Sequence, residues 1–252
     1  MKQLGQLAVL ASILVASAPF ACADTISLGS FATGTTPASL GFSTSQTAMN
    51  FAGYTAFATP PAVASTPTLL SGTGNSYALA TNGVWGAPSG SSTWVGFAAN
   101  AGPGGASPAY GYYQFTTAFT AAGGSGYTGT LDVMGDDTVE VLLNGVVLVP
   151  FGALGSDTHC ADGGPSCSAS DVVSLNGTTL LSGTDANTFT FVVEQAGILP
   201  SGDPSGVDFT ANLASGIAAE PSSLILFGTG LLATAALFRR RKAAAVSHNF
   251  PL

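Results

Sequence analysis

The chain has 252 residues, only 7% of which are charged, and its formal net charge at pH 7 is −8. All 13 acidic residues lie between positions 24 and 220, whereas the five basic residues are Lys2 and the run 239–242. A body without lysine or arginine is unsuited to binding nucleic acid or transferring phosphoryl groups, because both tasks need cationic side chains to neutralise phosphate. The 33 glycines and the low charge are typical of a turn-rich β-protein.

The first 23 residues predict a secretory signal peptide. Lys2 gives a positive start, residues 7–18 form an apolar run, and Ala21-Cys22-Ala23 forms an A-x-A cleavage site. The run is too short to cross a bilayer, which takes about 20 apolar residues. Cleavage after Ala23 would start the mature chain at Asp24, so we expect export; a buried N-terminal helix is the alternative.

Alternation of apolar and polar residues predicts strands through the later part of the body. Five segments carry the pattern: 111–120, 128–134, 138–144, 187–195 and 207–213. The residues that share one face of these segments, nearly all of them apolar, are Tyr113, Phe115, Thr117, Phe119, Leu131, Val133, Val139, Val141, Leu143, Phe189, Phe191, Val193, Val207, Phe209, Ala211 and Leu213. Clusters of Gly, Asn, Asp and Ser separate the segments, which favours an all-β fold, an antiparallel jelly-roll-like sandwich.

One hairpin stands out, and one region stays open. Asn144-Gly145 joins two apolar segments, and this pair favours a type I′ turn because both residues tolerate positive φ. Residues 24–83 have scattered apolar positions in Thr-, Ser- and Gly-rich sequence, interrupted by Pro60-Pro61. That region is interpreted either as loosely ordered strands or as long loops.

Two cysteines remain once the signal peptide is removed. Cys160 and Cys167 lie close together in the sequence HCADGGPSC. In an exported protein such a pair predicts a disulfide that closes a small loop. A metal site formed by both cysteines and His159 is the alternative, and it would need a fourth ligand although the body has no other histidine.

Asp136 and Asp137 are the candidate metal ligands. They follow Gly135 between two predicted strands, and Ca²⁺ takes oxygen ligands such as adjacent carboxylates. Adhesin lectins with a comparable sandwich hold calcium and a sugar with an Asp-Asp pair. The structural alternative is that both aspartates favour the turn and keep it hydrated. We prefer that alternative here, because one pair supplies too few of the six or more ligands that calcium needs.

No motif in the body predicts catalysis. A nucleophile elbow of the G-x-S-x-G type and a zinc-binding set of His and Cys are both absent from the sequence. A glycosidase needs only two carboxylates, so the acidic residues leave a polysaccharide hydrolase open as the weakest interpretation. We therefore expect a protein that is not an enzyme and has no cofactor, with calcium as the one candidate ion.

An apolar segment near the C terminus predicts a single transmembrane helix. Residues 221–238 carry no charge and are just long enough to cross a bilayer, which takes about 17–25 residues. The basic residues Arg239, Arg240, Arg241 and Lys242 follow at once and should hold that side in the cytoplasm. Residues 243–252 would be a cytoplasmic tail, and an ordinary membrane anchor is the alternative interpretation.

A short motif, Glu220-Pro221-Ser222-Ser223, precedes this segment. The order of motif, glycine-interrupted helix and arginine block resembles the PEP-CTERM proteins, which are bacterial exports. The resemblance covers residues 219–242 and implies an exosortase-type processing enzyme as partner, with transient insertion in the inner membrane. Ala219 stands where the family has the first proline of its Pro-Glu-Pro triplet, and ten residues follow Lys242, where such tails usually stop sooner.

The body resembles a second group of proteins over residues 84–214. The order of a tryptophan-led strand at Trp94 and the alternating segments is similar to galactose-binding-like jelly rolls, which include many carbohydrate-binding modules. This resemblance implies a two-sheet sandwich, which we expect over residues 24–218, and the PEP-CTERM resemblance implies a sorting signal at 219–242. The expected function is an exported surface or matrix protein, found in the envelope or outside the cell and associated with exopolysaccharide. A carbohydrate-binding module with a defined sugar site is the alternative.

Overall fold

Twelve strands form the described part of the body in the computed structural model. The structure describes residues 24–34, 47–56, 74–105, 108–122, 126–152, 170–195 and 203–215, together with 228–230, 232–234 and 236. The strands are β1 Thr25–Ala32, β2 Thr47–Ala56, β3 Gly74–Asn75, β4 Tyr77–Ala78, β5 Val95–Gly96, β6 Gly111–Phe119, β7 Tyr127–Asp136, β8 Thr138–Leu143, β9 Val146–Val149, β10 Asp171–Thr178, β11 Asn187–Gln195 and β12 Gly206–Ser215. The prediction of an all-β body is thus confirmed.

The strands form two groups that share β1. The first sheet has the order β10-β7-β12-β1, with β5 beside the start of β12 and β4 beside β5. The second sheet has the order β2-β6-β11-β8-β9, with β3 on β2. Residues 25–29 of β1 pair antiparallel with β12, and residues 30–32 pair parallel with β2. The other strand pairs of the described residues are antiparallel, and β1 links the two sheets because it pairs with both β12 and β2.

The inner faces of the two sheets pack against each other. Phe209 on β12 lies 4.4 Å from Phe191 and 6.0 Å from Phe189 between ring centroids, and both partners are on β11 of the other sheet. The apolar positions predicted from alternation in the five segments are all at most 9% exposed. The sequence periodicity therefore identified the inward face correctly, because side chains alternate between the two faces of a strand.

The predicted hairpin is confirmed. Asn144 and Gly145 have φ values of 51° and 81°, as a type I′ turn requires, and they connect β8 with β9. The Asn144 side chain accepts a hydrogen bond from the Thr188 backbone N–H at 2.9 Å and donates one to Asn187 Oδ1 at 2.9 Å. The turn is thereby attached to the neighbouring strand β11.

The first third of the body contains strands rather than loops alone. β1 and β2 are regular, whereas residues 35–46 and 57–73 lie outside the described residues. The strand expected at Trp94 is only two residues long and begins after it, at Val95. Trp94 itself is fully buried in a small cluster with Leu79, Trp85, Ala101 and Met134.

Several predicted features fall outside the described residues. These are the signal peptide, His159, the Cys160–Cys167 disulfide, the motif at 220–223, and the basic run and tail at 239–252. Residues 228–230, 232–234 and 236 are helical. Among the described residues, no helix has the length and apolar character needed to cross a membrane. The strands described above belong to one compact unit, Asp24–Ser215.

Candidate functional site

Asp136 and Asp137 lie where β7 passes into β8. Asp136 is the last residue of β7, Asp137 separates the two strands, and the peptide bond between them is cis. Asp136 is only 8% exposed and Asp137 only 1% exposed. The expectation that these aspartates keep the turn hydrated is therefore wrong, because neighbouring strands and the segment 79–105 enclose the connection.

Trp85 holds the carboxylate of Asp136. The Trp85 indole Nε1–H donates a hydrogen bond to Asp136 Oδ2 at 2.7 Å, and the Ser205 hydroxyl donates to the Asp136 carbonyl at 3.3 Å. Trp85 stacks on Trp94 with 4.2 Å between ring centroids, and both rings are buried. The indole pair therefore covers one side of the Asp136 carboxylate.

Glu194 lies beside Asp137 across the β8–β11 pair. The Asp137 backbone N–H donates to the Glu194 carbonyl at 3.0 Å, and Glu194 pairs in register with Thr138. The Glu194 side chain is fully buried, and neither carboxylate oxygen has a hydrogen-bond partner in the part of the chain that the structure describes. This burial raises the pKa of Glu194 to about 7, because a low-dielectric environment disfavours the charged form.

Gln195 and Asp203 complete the group. The Gln195 side-chain Nε2–H donates to Asp203 Oδ2 at 3.0 Å, and both side chains are buried. Gln195 ends β11, and residues 196–202, which lead to Asp203, are outside the described residues. We call Asp136, Asp137, Glu194, Gln195 and Asp203 the acidic junction.

Charge is the distinctive property of the acidic junction. It contains four carboxyl groups, and no lysine or arginine occurs anywhere from residue 3 to residue 238. A buried carboxylate is costly unless it is paired, bound to a cation or protonated. Hydrogen bonds from Trp85 and Gln195 reach Asp136 and Asp203, whereas the two carboxyl oxygens of Glu194 have no partner among the described residues.

The described residues supply only part of a metal site. Within the described ranges, no group of three or more His, Cys, Asp or Glu side chains is arranged to hold a metal ion. Asp136 and Asp137 could provide carboxylate oxygens to Ca²⁺, which also accepts amide and backbone carbonyl oxygens. Further ligands would have to come from such oxygens or from water.

Sequence reasoning missed three residues of this region. Trp85, Glu194 and Asp203 lie at the acidic junction, yet none of them was singled out from the sequence. The available signal was the charge distribution: in a body without lysine or arginine, any acidic residue in an alternating strand is a candidate unpaired buried acid. Glu194 stands in such a strand, next to the buried positions 191–193.

Comparisons with known proteins identify the C-terminal segment. Residues 220–242 match the PEP-CTERM protein-sorting motif. No curated protein matches the chain significantly. Among solved structures, the chain is similar to a β-glucosidase from Kluyveromyces marxianus in complex with glucose, at 14% identity and a TM-score of 0.26. A Se-Met-labelled form of that enzyme gives 16% identity and a TM-score of 0.27. These matches cover 45% of this chain and 11% and 12% of the enzyme chains, respectively.

Proposed function

We propose that this chain, which carries the PEP-CTERM protein-sorting motif, is an exported surface or matrix protein without enzymatic activity. An exosortase-type system sorts it, and its body associates with the envelope or with exopolysaccharide. The observation that carries the proposal is the motif match at residues 220–242. The predicted signal peptide and the acidic body without lysine or arginine support it, because both fit a protein that works outside the cytoplasm.

The sorting role is tested by transferring the tail. Residues 219–252 are fused behind a secreted reporter in a strain that contains the cognate exosortase. We expect the reporter to enter the inner membrane and then to be released. Changing Glu220 and Pro221 to alanine should block release and leave insertion intact, because the apolar segment and basic run are unchanged.

A control variant changes His248 and Asn249 in the tail to alanine and should be released normally. If the Glu220 and Pro221 variant is released as fast as the unchanged tail, the segment is an ordinary membrane anchor. If the reporter never enters the membrane, the apolar segment is not a membrane-spanning helix. Cell fractionation with an antibody to the reporter distinguishes these outcomes.

The second candidate function is calcium-assisted carbohydrate binding at the acidic junction. The observation that favours it is the burial of Asp136 and Asp137 in a body that has no lysine or arginine. Adjacent carboxylates repel each other until a cation neutralises them, so a bound Ca²⁺ would stabilise this arrangement. The ion would in turn offer open coordination positions to the hydroxyl groups of a sugar.

Calcium should then raise the melting temperature of the body. At a hundredfold excess over the dissociation constant, binding stabilises the native state by about 2.7 kcal/mol. For a domain of this size the melting temperature would rise by about 5–10 °C, and a chelator should reverse the rise. Changing both Asp136 and Asp137 to asparagine should abolish it.

The matched control changes Asp171 and Asp185, which lie away from the acidic junction, to asparagine and alters the net charge equally. This control should keep the calcium response. Glycan-array binding with and without calcium tests the sugar. A melting temperature that calcium does not change would exclude the ion, and a calcium response without glycan binding would identify a structural ion only.

A further inference from the structure

Another buried acid, Asp208, lies on the outer face of the first sheet. Asp208 is in β12, pairs with Met134 of β7 and is fully buried. Residues 79–94, which we call the cover segment, lie over it. The Ser89 backbone N–H of the cover segment donates to Asp208 Oδ2 at 2.8 Å. Asp208 therefore joins the cover segment to the sheet.

Two serine hydroxyl groups near Asp208 Oδ1 make four short oxygen–oxygen contacts, but each hydroxyl has only one proton to donate. Ser92 Oγ lies 2.6 Å from Asp208 Oδ1 and 2.5 Å from the Ser89 carbonyl oxygen. Ser30 Oγ lies 2.9 Å from Asp208 Oδ1 and 2.7 Å from the Thr93 carbonyl oxygen. These four contacts have only two hydroxyl protons between them if Asp208 is ionised.

A proton on Asp208 supplies a third donor. Asp208 Oδ1–H can then donate to Ser92 Oγ, and the Ser92 hydroxyl can donate to the Ser89 carbonyl. If Asp208 is ionised, the Ser92 hydroxyl can donate to only one of its two neighbours. The other oxygen then faces a lone pair of Ser92 Oγ at about the shortest distance found for an O–H···O hydrogen bond. The geometry therefore favours the neutral acid.

The surrounding charges act in the same direction. On the same face of β7, Asp132 and Asp136 stand two positions on either side of Met134, the partner of Asp208. The cover segment and β1 contain no titratable side chain, and no lysine or arginine is present. Burial raises the pKa of Asp208, an effect that outweighs the hydrogen bonds from the Ser89 backbone N–H and from the side chains of Ser92, Ser30 and Ser89.

We propose that Asp208 is protonated at neutral pH and that its proton fastens the cover segment to the first sheet, so that alkaline pH releases the segment. Ionisation would place a charge near Asp132 and Asp136 and would leave two protons for the four contacts of Ser30 and Ser92. Water that enters under the cover segment would hydrate the Asp208 carboxylate and reduce this repulsion. Opening would separate Trp85 from Asp136 and expose the stacked indole pair to solvent.

Tryptophan fluorescence can measure this opening without an added label, because the two tryptophans of the sequence, Trp85 and Trp94, are both in the cover segment. Acrylamide quenching of tryptophan fluorescence is measured from pH 6 to 9, below the ordinary tyrosine pKa of about 10. Acrylamide is uncharged, so the acidic body does not repel it. We expect quenching to rise with pH while the far-ultraviolet circular dichroism of the sheets stays unchanged.

The decisive variant is Asp208→Asn, which has the same shape, stays neutral and can still donate to a serine. Its quenching should not change over this pH range. In the native protein, the unfolding equilibrium constant should also rise by up to tenfold per pH unit from the ordinary aspartate pKa of about 3.9 up to the folded value. In the Asp208→Asn variant this pH dependence of the unfolding constant should be absent. Both proteins are compared in the Glu194→Gln background, so that Glu194 does not contribute to the difference.

Two results would overturn the proposal. One is an Asp208→Asn protein that opens with pH as the native protein does. The other is carbon-13 NMR of aspartate carboxyl groups in the native protein in which every aspartate is ionised at pH 7. The second test uses the native protein and does not depend on the folding of a variant. If a protonated carboxyl group is found, Ser92→Ala, which removes the proton acceptor, identifies the Asp208 signal. Asp132→Asn is the charge control: removing one like charge should move the opening to lower pH without abolishing it.

Discussion

Replacing Glu194 with glutamine is expected to stabilise the body at neutral pH and to flatten the pH dependence of its stability between about 4.5 and 7. The folded-state pKa of Glu194 is raised to about 7 from an ordinary value of 4.5. The folded protein therefore binds this proton more tightly than the unfolded chain does. The free energy of unfolding falls by up to about 1.4 kcal/mol for each pH unit in that interval, and the loss is complete above the folded pKa.

The expected gain for Glu194→Gln at pH 7 is about 2 kcal/mol, since glutamine resembles the protonated acid and carries no charge to bury. This corresponds to a melting temperature about 4–8 °C higher for a domain of this size. Thermal unfolding of both proteins at pH 5, 6, 7 and 8 measures the effect. The two curves should lie closest together at pH 5 and separate as the pH rises.

Glu140→Gln is the matched control, because Glu140 lies on the neighbouring strand β8 and is only half-buried. Burial also raises the pKa of Glu140, and greater exposure to solvent should make its effect on stability smaller. Equal separation of the wild-type and Glu194→Gln curves at every pH would contradict the prediction. That outcome would mean that the carboxyl group of Glu194 does not titrate differently in the folded state.

Local sequence patterns predicted the strands of the later half of the body well. In β6, β8, β11 and β12 the apolar residues occupy every second position, and this period matches the alternation of side chains in a strand. The Asn144-Gly145 turn was equally clear, because few residues accept positive φ in adjacent positions. Both features depend on residues close together in the chain.

Features that depend on distant residues were not predicted. The oxygen group at Asp208 unites Ser30 and Ser92 with a residue more than 100 positions from either, and no local pattern announces such a contact. Trp94 was expected to lead a strand, but its ring instead stacks on Trp85 outside the first sheet. The burial of Asp136 and Asp137 was also missed, because local turn preferences favour hydrated aspartates and give no information on what covers them.

The largest loss of stability is expected from Phe209→Ala. The Phe209 ring is fully buried and contacts Phe189 and Phe191 of the opposite sheet. Removing it leaves a cavity between two sheets that are held apart by many other side chains, so the space is filled only in part. Changes of this kind cost about 3–5 kcal/mol, which lowers the melting temperature by about 6–20 °C in a domain of this size.

This loss should appear equally in every probe, because Phe209 belongs to the core that both sheets share. Circular dichroism of the sheets and fluorescence of the two tryptophans should give the same lowered melting temperature. Val172→Ala on the edge strand β10 is the control: its side chain is 59% exposed, and its truncation should change stability by less than about 0.5 kcal/mol.

A variant in which the tryptophan transition stays at the wild-type temperature while the sheet transition falls would show that the cover segment unfolds independently of the core. A single lowered transition would instead mean that the sheets and the cover segment unfold together, so that any opening of the segment at alkaline pH is a local event within a folded body.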